Sequence, residues 1–395
     1  MTDSGTDKAA GRFSLVVGGP FHAILRRLRL TAPDQLPTQR AALGLALLAW
    51  LPPALLAVFQ SLTDDRYSGW GFFTDWMVYT RYLIAIWIMI ATERYADGRL
   101  ITLAQHFRDA RILSDADLPA FERALGIADR RSGSALAEVV ILAAVLVGAG
   151  VSTHLTVDLV GSGWEGREVG GDVLLSWAGE AARFLSTPLF LFLVLRWIWR
   201  FLVWTALLYR ISRLPLQLMP LHPDRSAGLG FLAIYPSIFS GFLFALSCVV
   251  ASAMVTDIAL EHPGAEAVWF VLAGWLSMCS VLVLGPLLVF VRPLYAVRER
   301  ALIEYGRLAS RHHLAFHRKW LGEGRSGEEL LGSADPSSAS DLNATFEAIQ
   351  RLRFVPVDFP AVLQLLIAAG APLLVVVATQ IPFGDLIKWI FGTIV

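Results

Sequence analysis

Charge is the first thing this chain has little of. Asp, Glu, Lys and Arg make up only 17% of its 395 residues, against about 25% in an ordinary soluble domain. Basic and acidic residues balance at 33 each, so no net field favours nucleic acid. Lysine is nearly missing, outnumbered about tenfold by arginine, a usage associated with GC-rich bacterial genomes. Cysteine occurs twice, at Cys248 and Cys279. Both lie inside apolar blocks, where a thiol is a small packing group more often than a redox pair or metal ligand. The usual catalytic signatures are absent: there is no His-Glu-x-x-His, Walker loop, Gly-x-Ser-x-Gly elbow or intramembrane aspartate pair. No catalytic residue, metal or cofactor is therefore expected, and enzyme is the weakest class. A cleavable signal is missing too, because the first 40 residues offer only the short stretch Phe13 to Val17 and the basic run Arg26, Arg27, Arg29.

What is there is apolar. Hydrophobic residues make up 55% of the chain and mean hydropathy is +0.57. They come in blocks of about 20, the length that crosses the roughly 30 Å hydrocarbon core at 1.5 Å per helical residue. The expected fold is all-α: a polytopic transmembrane helical bundle of about seven spans with cytoplasmic helical extensions. The spans are Ala41 to Gln60, Phe72 to Thr92, Ser134 to Leu155, Trp177 to Tyr209, Leu229 to Val255, Ala267 to Val291 and Phe359 to Ile381. Connections 1–40, 93–133, 210–228 and 292–358 hold nearly all the Lys and Arg, and the alternate ones hold only Arg66, Arg167 and Lys388. By the positive-inside rule the N-terminus is cytoplasmic and the chain is a multi-pass protein of a bacterial inner membrane. Residues 1–40 then form a cytoplasmic segment with an interfacial helix, and 41–395 form the bundle, with cytoplasmic helical insertions at 93–133 and 292–358.

In the N-terminal segment, Phe21, Ile24, Leu25 and Leu28 share a helical face, with arginines suited to anionic lipid. Residues 97–131 read as a helical hairpin with Leu103, Phe107, Ile112, Leu118, Phe121 and Leu125 free to pack. Residues 294–320 extend the sixth span out of the bilayer, and a loop over Gly322 to Asp341 precedes a short helix from about Leu342.

Inside the spans the informative residues are prolines and charges. Pro52, Pro53, Pro188, Pro236, Pro286 and Pro372 interrupt five helices, and each removes a backbone bond that lipid cannot replace. Arg81 stands near the middle of the second span, where an arginine costs at least about 2.5 kcal/mol and needs a partner. Asp75 on the same helix, Glu138, Glu180 and backbone carbonyls at the proline breaks are the candidates, for either a pathway or a buried ion pair. Glu180 and Arg183 share a face and suit a pair of their own. Arg196 and Arg200, among Trp197, Trp199 and Trp204, read as snorkelling residues of an aromatic belt.

The turn His222-Pro223-Asp224-Arg225 carries the triplet of the chaperone-stimulating loop of J-domains. Pro215 and Pro220 break the helix that loop requires, and a membrane span follows, so the turn is read as an interfacial hinge in which Asp224 or Ser226 caps the fifth span and Arg225 meets lipid phosphate. His313 and His317 have metal-compatible spacing without further ligands, and His312 joins them on a solvated face.

From the fourth span onward the order of motifs is specific: Trp197 to Arg200, then His222-Pro223-Asp224-Arg225 with Gly228-Leu229-Gly230-Phe231-Leu232, then Tyr305-Gly306, Phe316 with Lys319-Trp320, and Leu331-Gly332-Ser333-Ala334-Asp335. It resembles a group of bacterial multi-span membrane proteins of uncharacterised activity, over roughly the C-terminal half. The sequence departs from that group at Ala227, where a second glycine is usual, and at Pro336. The resemblance implies a fold and a location but no activity. Two functions remain: a channel or transporter for a small solute or ion, favoured by broken helices, Arg81 and the small-residue faces Ser237, Ser240, Gly241 and Gly274, Ser277; and a membrane adaptor or assembly subunit docking a cytoplasmic partner, favoured by one-sided extramembrane mass. The bilayer is the implied partner, and a homo-oligomer or a cytoplasmic protein is compatible with either.

Overall fold

The computed structural model describes residues 14–15, 18–27, 39–64, 69–151, 164–169, 172–261, 265–322 and 332–380. Leu28, Arg29, Arg66, Lys388, the expected span ends Ser152 to Leu155 and Ile381, and loop residues 323–331 lie outside them. The helices are α1 (Gly19–Arg27), α2 (Gln39–Thr63), α3 (Ile86–Asp109), α4 (Leu118–Ser132), α5 (Ala135–Val151), α6 (Thr187–Ser212), α7 (Ser240–Glu261), α8 (Ala265–Leu284), α9 (Val291–Trp320), α10 (Asp335–Gln350) and α11 (Phe359–Gln380). Short helical turns at Trp70–Thr74 and Trp76–Val78 lead through a π-helical segment, Tyr79–Ala85, into α3. Likewise Trp177–Ala181 leads through a second π segment, Ala182–Ser186, into α6. Strands β1 (Gly166–Val169) and β2 (Asp172–Leu175) form an antiparallel hairpin with Gly166 opposite Leu175.

Six helical stretches are long and apolar enough to cross a membrane: Gln39–Thr63, Leu118–Gly150, Trp177–Ser212, Gly230–Ile258, Ala267–Trp320 and Phe359–Thr379. The chain is an integral, multi-pass membrane protein. The expected second span, Phe72 to Thr92, is helical but not among the six. Its helix starts only after a break at Asp75, carries Arg81, and runs on through Glu93, Arg94 and Asp97. It is a central helix: Tyr82, Ile86, Met89, Ile90, Glu93, Asp97 and Phe107 along it are buried.

Packing follows the logic of a bundle in lipid, where small residues face protein and large ones face acyl chains. Along α2, Ala42, Ala46, Ala49 and Ala57 are buried while Leu43, Leu47, Leu51 and Leu55 are exposed. At Gly241 a Cβ would come within 2.4 Å of Thr92, so only glycine allows α7 this close to α3.

The proline breaks find partners inside the protein. Pro53 has no N–H for the carbonyl of Ala49, and the Ser186 hydroxyl, reached through the second π segment, donates to that carbonyl at 2.5 Å. Near Pro372, Trp275 Nε1 donates to the carbonyl of Ala369, the neighbour of the Ala368 carbonyl that the proline leaves without its helical N–H. Pro286 begins the 3-10 stretch Gly285–Phe290 that separates α8 from α9.

At one end of the bundle, α3 outlasts the apolar zone and pairs with α4 as the expected hairpin; Leu103, Phe107, Ile112, Phe121 and Leu125 are buried, with Leu118 half-buried against them. At the same end α9 extends to Trp320 and α10 folds back along it. The His312 and His313 Nε2 atoms meet Ser338 and Asn343 at 3.1 and 3.0 Å, and Lys319 pairs with Asp335 at 2.7 Å. The second helix begins at Asp335 rather than near Leu342, because Asp335 and Pro336 suit a helix's first turn. Cys248 and Cys279 are free thiols within α7 and α8.

Candidate functional site

Helices α3 and α6 each carry two charges four residues apart, a spacing that puts both on one face: Glu93 and Asp97 on α3, Arg196 and Arg200 on α6. The two faces meet. Arg196 and Arg200 are only 4% and 3% exposed and Glu93 1%, and both guanidiniums converge on the same oxygen, Glu93 Oε1, at 2.9 and 2.7 Å. Arg196 also reaches Glu138 Oε1 at 3.0 Å from the first turn of α5. Glu93 Oε2 is buried and has no hydrogen-bond partner among the described residues.

The N-terminal segment closes over this cluster. Its Ser14 hydroxyl and Leu15 N–H donate to Asp97 at 2.8 to 2.9 Å, and the Phe21 N–H donates to Glu138 Oε2 at 2.8 Å. A carboxylate held by a free N–H in the first turn of α1 is the favourable arrangement of helix dipole and charge. The Arg196 guanidinium lies 4.6 Å from the Phe21 ring, which also packs on Phe192. His22 is buried beside them, and its pKa lies below the usual imidazole value, chiefly through burial and then through Arg196. Gly18 and Gly19 have φ of +129° and +79°, and a Cβ on Gly19 would stand 2.7 Å from the Glu138 carboxylate. The inward face of α1 is therefore Phe21, His22 and Leu25, while Ile24 is 53% exposed. Helical periodicity put Ile24 on that face with Phe21 and Leu25; the structure places His22 there and turns Ile24 outward, because the face docks on buried charge rather than on lipid.

At the opposite end, by the β-hairpin, the sequence candidates separate. Asp75 does not pair with Arg81: one carboxylate oxygen caps the Met77 N–H and the other accepts from Trp164 Nε1. Glu138 belongs to the other end, with Arg196. Arg81 has no ion pair among the described residues; the carboxylate in its field is Glu165, which the sequence reading did not single out. Burial raises the Glu165 pKa, Arg81 lowers it and Asp75 raises it, for a net rise. Arg183 donates to the carbonyls of Ala149 and Gly150 at the end of α5, a cationic helix C-cap, rather than pairing with Glu180, which is exposed. A 2.8 Å hydrogen bond between Tyr82 and Thr187 ties the first π segment to the start of α6, just past the second, and Thr80 bonds Ser252 on α7 at 2.7 Å.

Arg196 and Arg200 are corrected from a snorkelling belt to a buried ion-pair network. Two of the three expected belt tryptophans are core residues as well: Trp197 stacks on Phe242 and Trp204 on Tyr235. The facing i, i+4 pairs Glu93/Asp97 and Arg196/Arg200 were the signal that would have found the cluster, since complementary doublets on two helices invite pairing.

The His222 to Arg225 turn is a structural device. Asp224 accepts from the N–H groups of Ser226, Gly228 and Gly230, and pairs with His222 Nδ1 at 2.9 Å. Burial alone would raise the Asp224 pKa, but those three N–H donors and His222 outweigh it and hold it low. Arg225 and Ala227 adopt φ of +56° and +55°, and the Arg353 N–H donates to the Arg225 carbonyl, tying the turn to the segment before α11. No group of three or more His, Cys, Asp or Glu among the described residues is arranged to hold a metal. Comparison with family models, curated proteins and solved structures finds no match to this chain.

Proposed function

We propose that this protein is a channel or transporter for a small solute or ion, seated in a bacterial inner membrane with its N-terminus and helical extensions in the cytoplasm. The observation that carries this reading is a pair of π segments, Tyr79–Ala85 and Ala182–Ser186, the first tied through Tyr82 to Thr187, the residue that follows the second. A π turn widens the helix and frees backbone groups, a cost tolerated in a bilayer where protein or water satisfies them, and such turns cluster at functional sites. Here they bring Thr80, Arg81, Tyr82 and Thr187 together in the β-hairpin half of the bundle, with Glu165 in the field of Arg81. The regional lack of positive charge on that side supports the orientation.

Flux from liposomes measured on Arg81→Ala and Arg81→Lys tests the reading. Altered flux or ion selectivity at unchanged thermal stability in detergent supports a pathway. Unaltered flux in both variants overturns the role of Arg81 and moves the balance to the second reading.

That second reading is an adaptor docking a cytoplasmic partner, and the α9–α10 hairpin favours it. Thirty residues of α9 span about 45 Å at 1.5 Å each, and among them only Leu294 and Ala301 are buried. Photo-crosslinking from Leu314, which is exposed, captures a defined cellular partner if the adaptor reading holds.

A further inference from the structure

We propose that α1, with Ser14 and Leu15, is an acid-released lid over the Glu93–Arg196–Arg200 cluster; in closing one mouth of the pathway it rests on the transport reading above. Three observations carry this. The segment is held to the bundle by a few side-chain hydrogen bonds: Asp97 takes Ser14 and Leu15, Asp129 accepts the Ser14 N–H at 3.3 Å, and Glu138 takes the Phe21 N–H. It turns through Gly18 and Gly19, both at positive φ and packed against Gly133, so the entry to the helix is a glycine joint. Beneath it Glu93 Oε2 is buried with no hydrogen-bond partner among the described residues, an atom that gains solvation once the lid lifts.

His22 supplies the sensitivity to acid. Facing it are Arg26 on α1 itself, Glu93 on α3, and Arg196 and Arg200 on α6, while Asp97 on α3 and Glu138 on α5 accept from Leu15 and Phe21 of the same segment. The closed lid disfavours the imidazolium, chiefly through burial and then through Arg196, with Glu93 opposing. In the lifted state the imidazole returns toward its ordinary value of 6.5. The lifted form thus binds more protons. Acidification below that value favours it, raising the open-to-closed ratio by up to about tenfold per pH unit until the depressed closed-state pKa is reached.

The test uses the full chain in lipid nanodiscs, with Cys248 and Cys279 replaced by Ala and spin labels on Ile24→Cys and Arg123→Cys, both exposed positions. Electron–electron distance measurement should give one narrow distance at pH 7.5 and a second, longer population at pH 5. His22→Gln, which keeps a polar side chain of similar reach but does not titrate, should show a much weaker acid response. Gly19→Ala, whose new methyl meets the Glu138 carboxylate, should show the longer distance at both pH values. A single unchanged distance in the unaltered protein at pH 5, or a full acid response in His22→Gln, overturns the proposal. Liposome flux of potassium, chloride and phosphate at the two pH values separates the lid from the transport reading. Acid-enhanced flux supports both, and flux indifferent to lid position overturns the closing role. No flux in any variant, with the lid still moving, overturns the transport reading and leaves the lid in place.

Discussion

At Glu93 two guanidiniums share one carboxylate oxygen in a site that water does not reach. Removing one partner of such an arrangement strands the others, at a cost of about 3 to 5 kcal/mol. Glu93→Gln should therefore lower thermal stability in detergent strongly, and combining it with Arg200→Met should cost less than the sum of the two single changes; strict additivity would show that the charges do not act as a unit. The Asp224 turn makes a second residue-level prediction. Its depressed pKa means that its contribution is present above the ordinary carboxyl value of 3.8 and is lost as pH falls through the lower folded value. Asp224→Ala should cost about 2 kcal/mol at neutral pH, by analogy with other charge-assisted hydrogen bonds, and the gap should narrow in acid. Arg225→Gly, at φ +56° with an exposed side chain, should instead stabilise by about 1 kcal/mol. The importance of Asp224 could be read from a His-Pro-Asp turn followed by glycines, whereas the left-handed backbone at Ala227 is a feature of the folded turn.

Among elements, the proline-broken helices show why local sequence is half an explanation. Pro53 announces an orphaned carbonyl at Ala49, but only the approach of the second π segment identifies Ser186 as the donor. Ser186→Ala should leave that carbonyl unsatisfied and cost about 1 to 3 kcal/mol in detergent thermal unfolding. If stability is unchanged, water or a neighbouring group replaces the hydroxyl. The α3–α4 hairpin was legible because its apolar positions repeat at helical spacing. The span preceding α3 was legible as a helix but not as a π turn, since no residue pattern marks an inserted backbone residue. Likewise α1 was foreseen as a helix, and its docking was not, because Glu138 and Asp97 come from distant stretches of chain.

For the molecule as a whole, sidedness is the testable claim. Thiols at Trp70→Cys, beside the β-hairpin, and at Leu314→Cys, on the helical extension, are both exposed positions. An impermeant reagent applied outside intact cells should label the first and not the second; the reverse pattern would overturn the positive-inside assignment. The sequence by itself determined the class of this protein, because apolar blocks of bilayer length and scarce charge leave no other stable arrangement than helices in lipid. It also marked the prolines and intramembrane charges as points needing partners. Which partners they take was decided only by the tertiary structure. For Arg81 the sequence offers Asp75, Glu138 and Glu180, yet among the described residues it pairs with none of them and Glu165 lies in its field, while Arg196 and Arg200, expected at a lipid interface, meet Glu93 in the interior. Periodicity along one helix specifies which residues share a face, but the pairing of buried charges depends on which faces of different helices come together, and that is a property of packing.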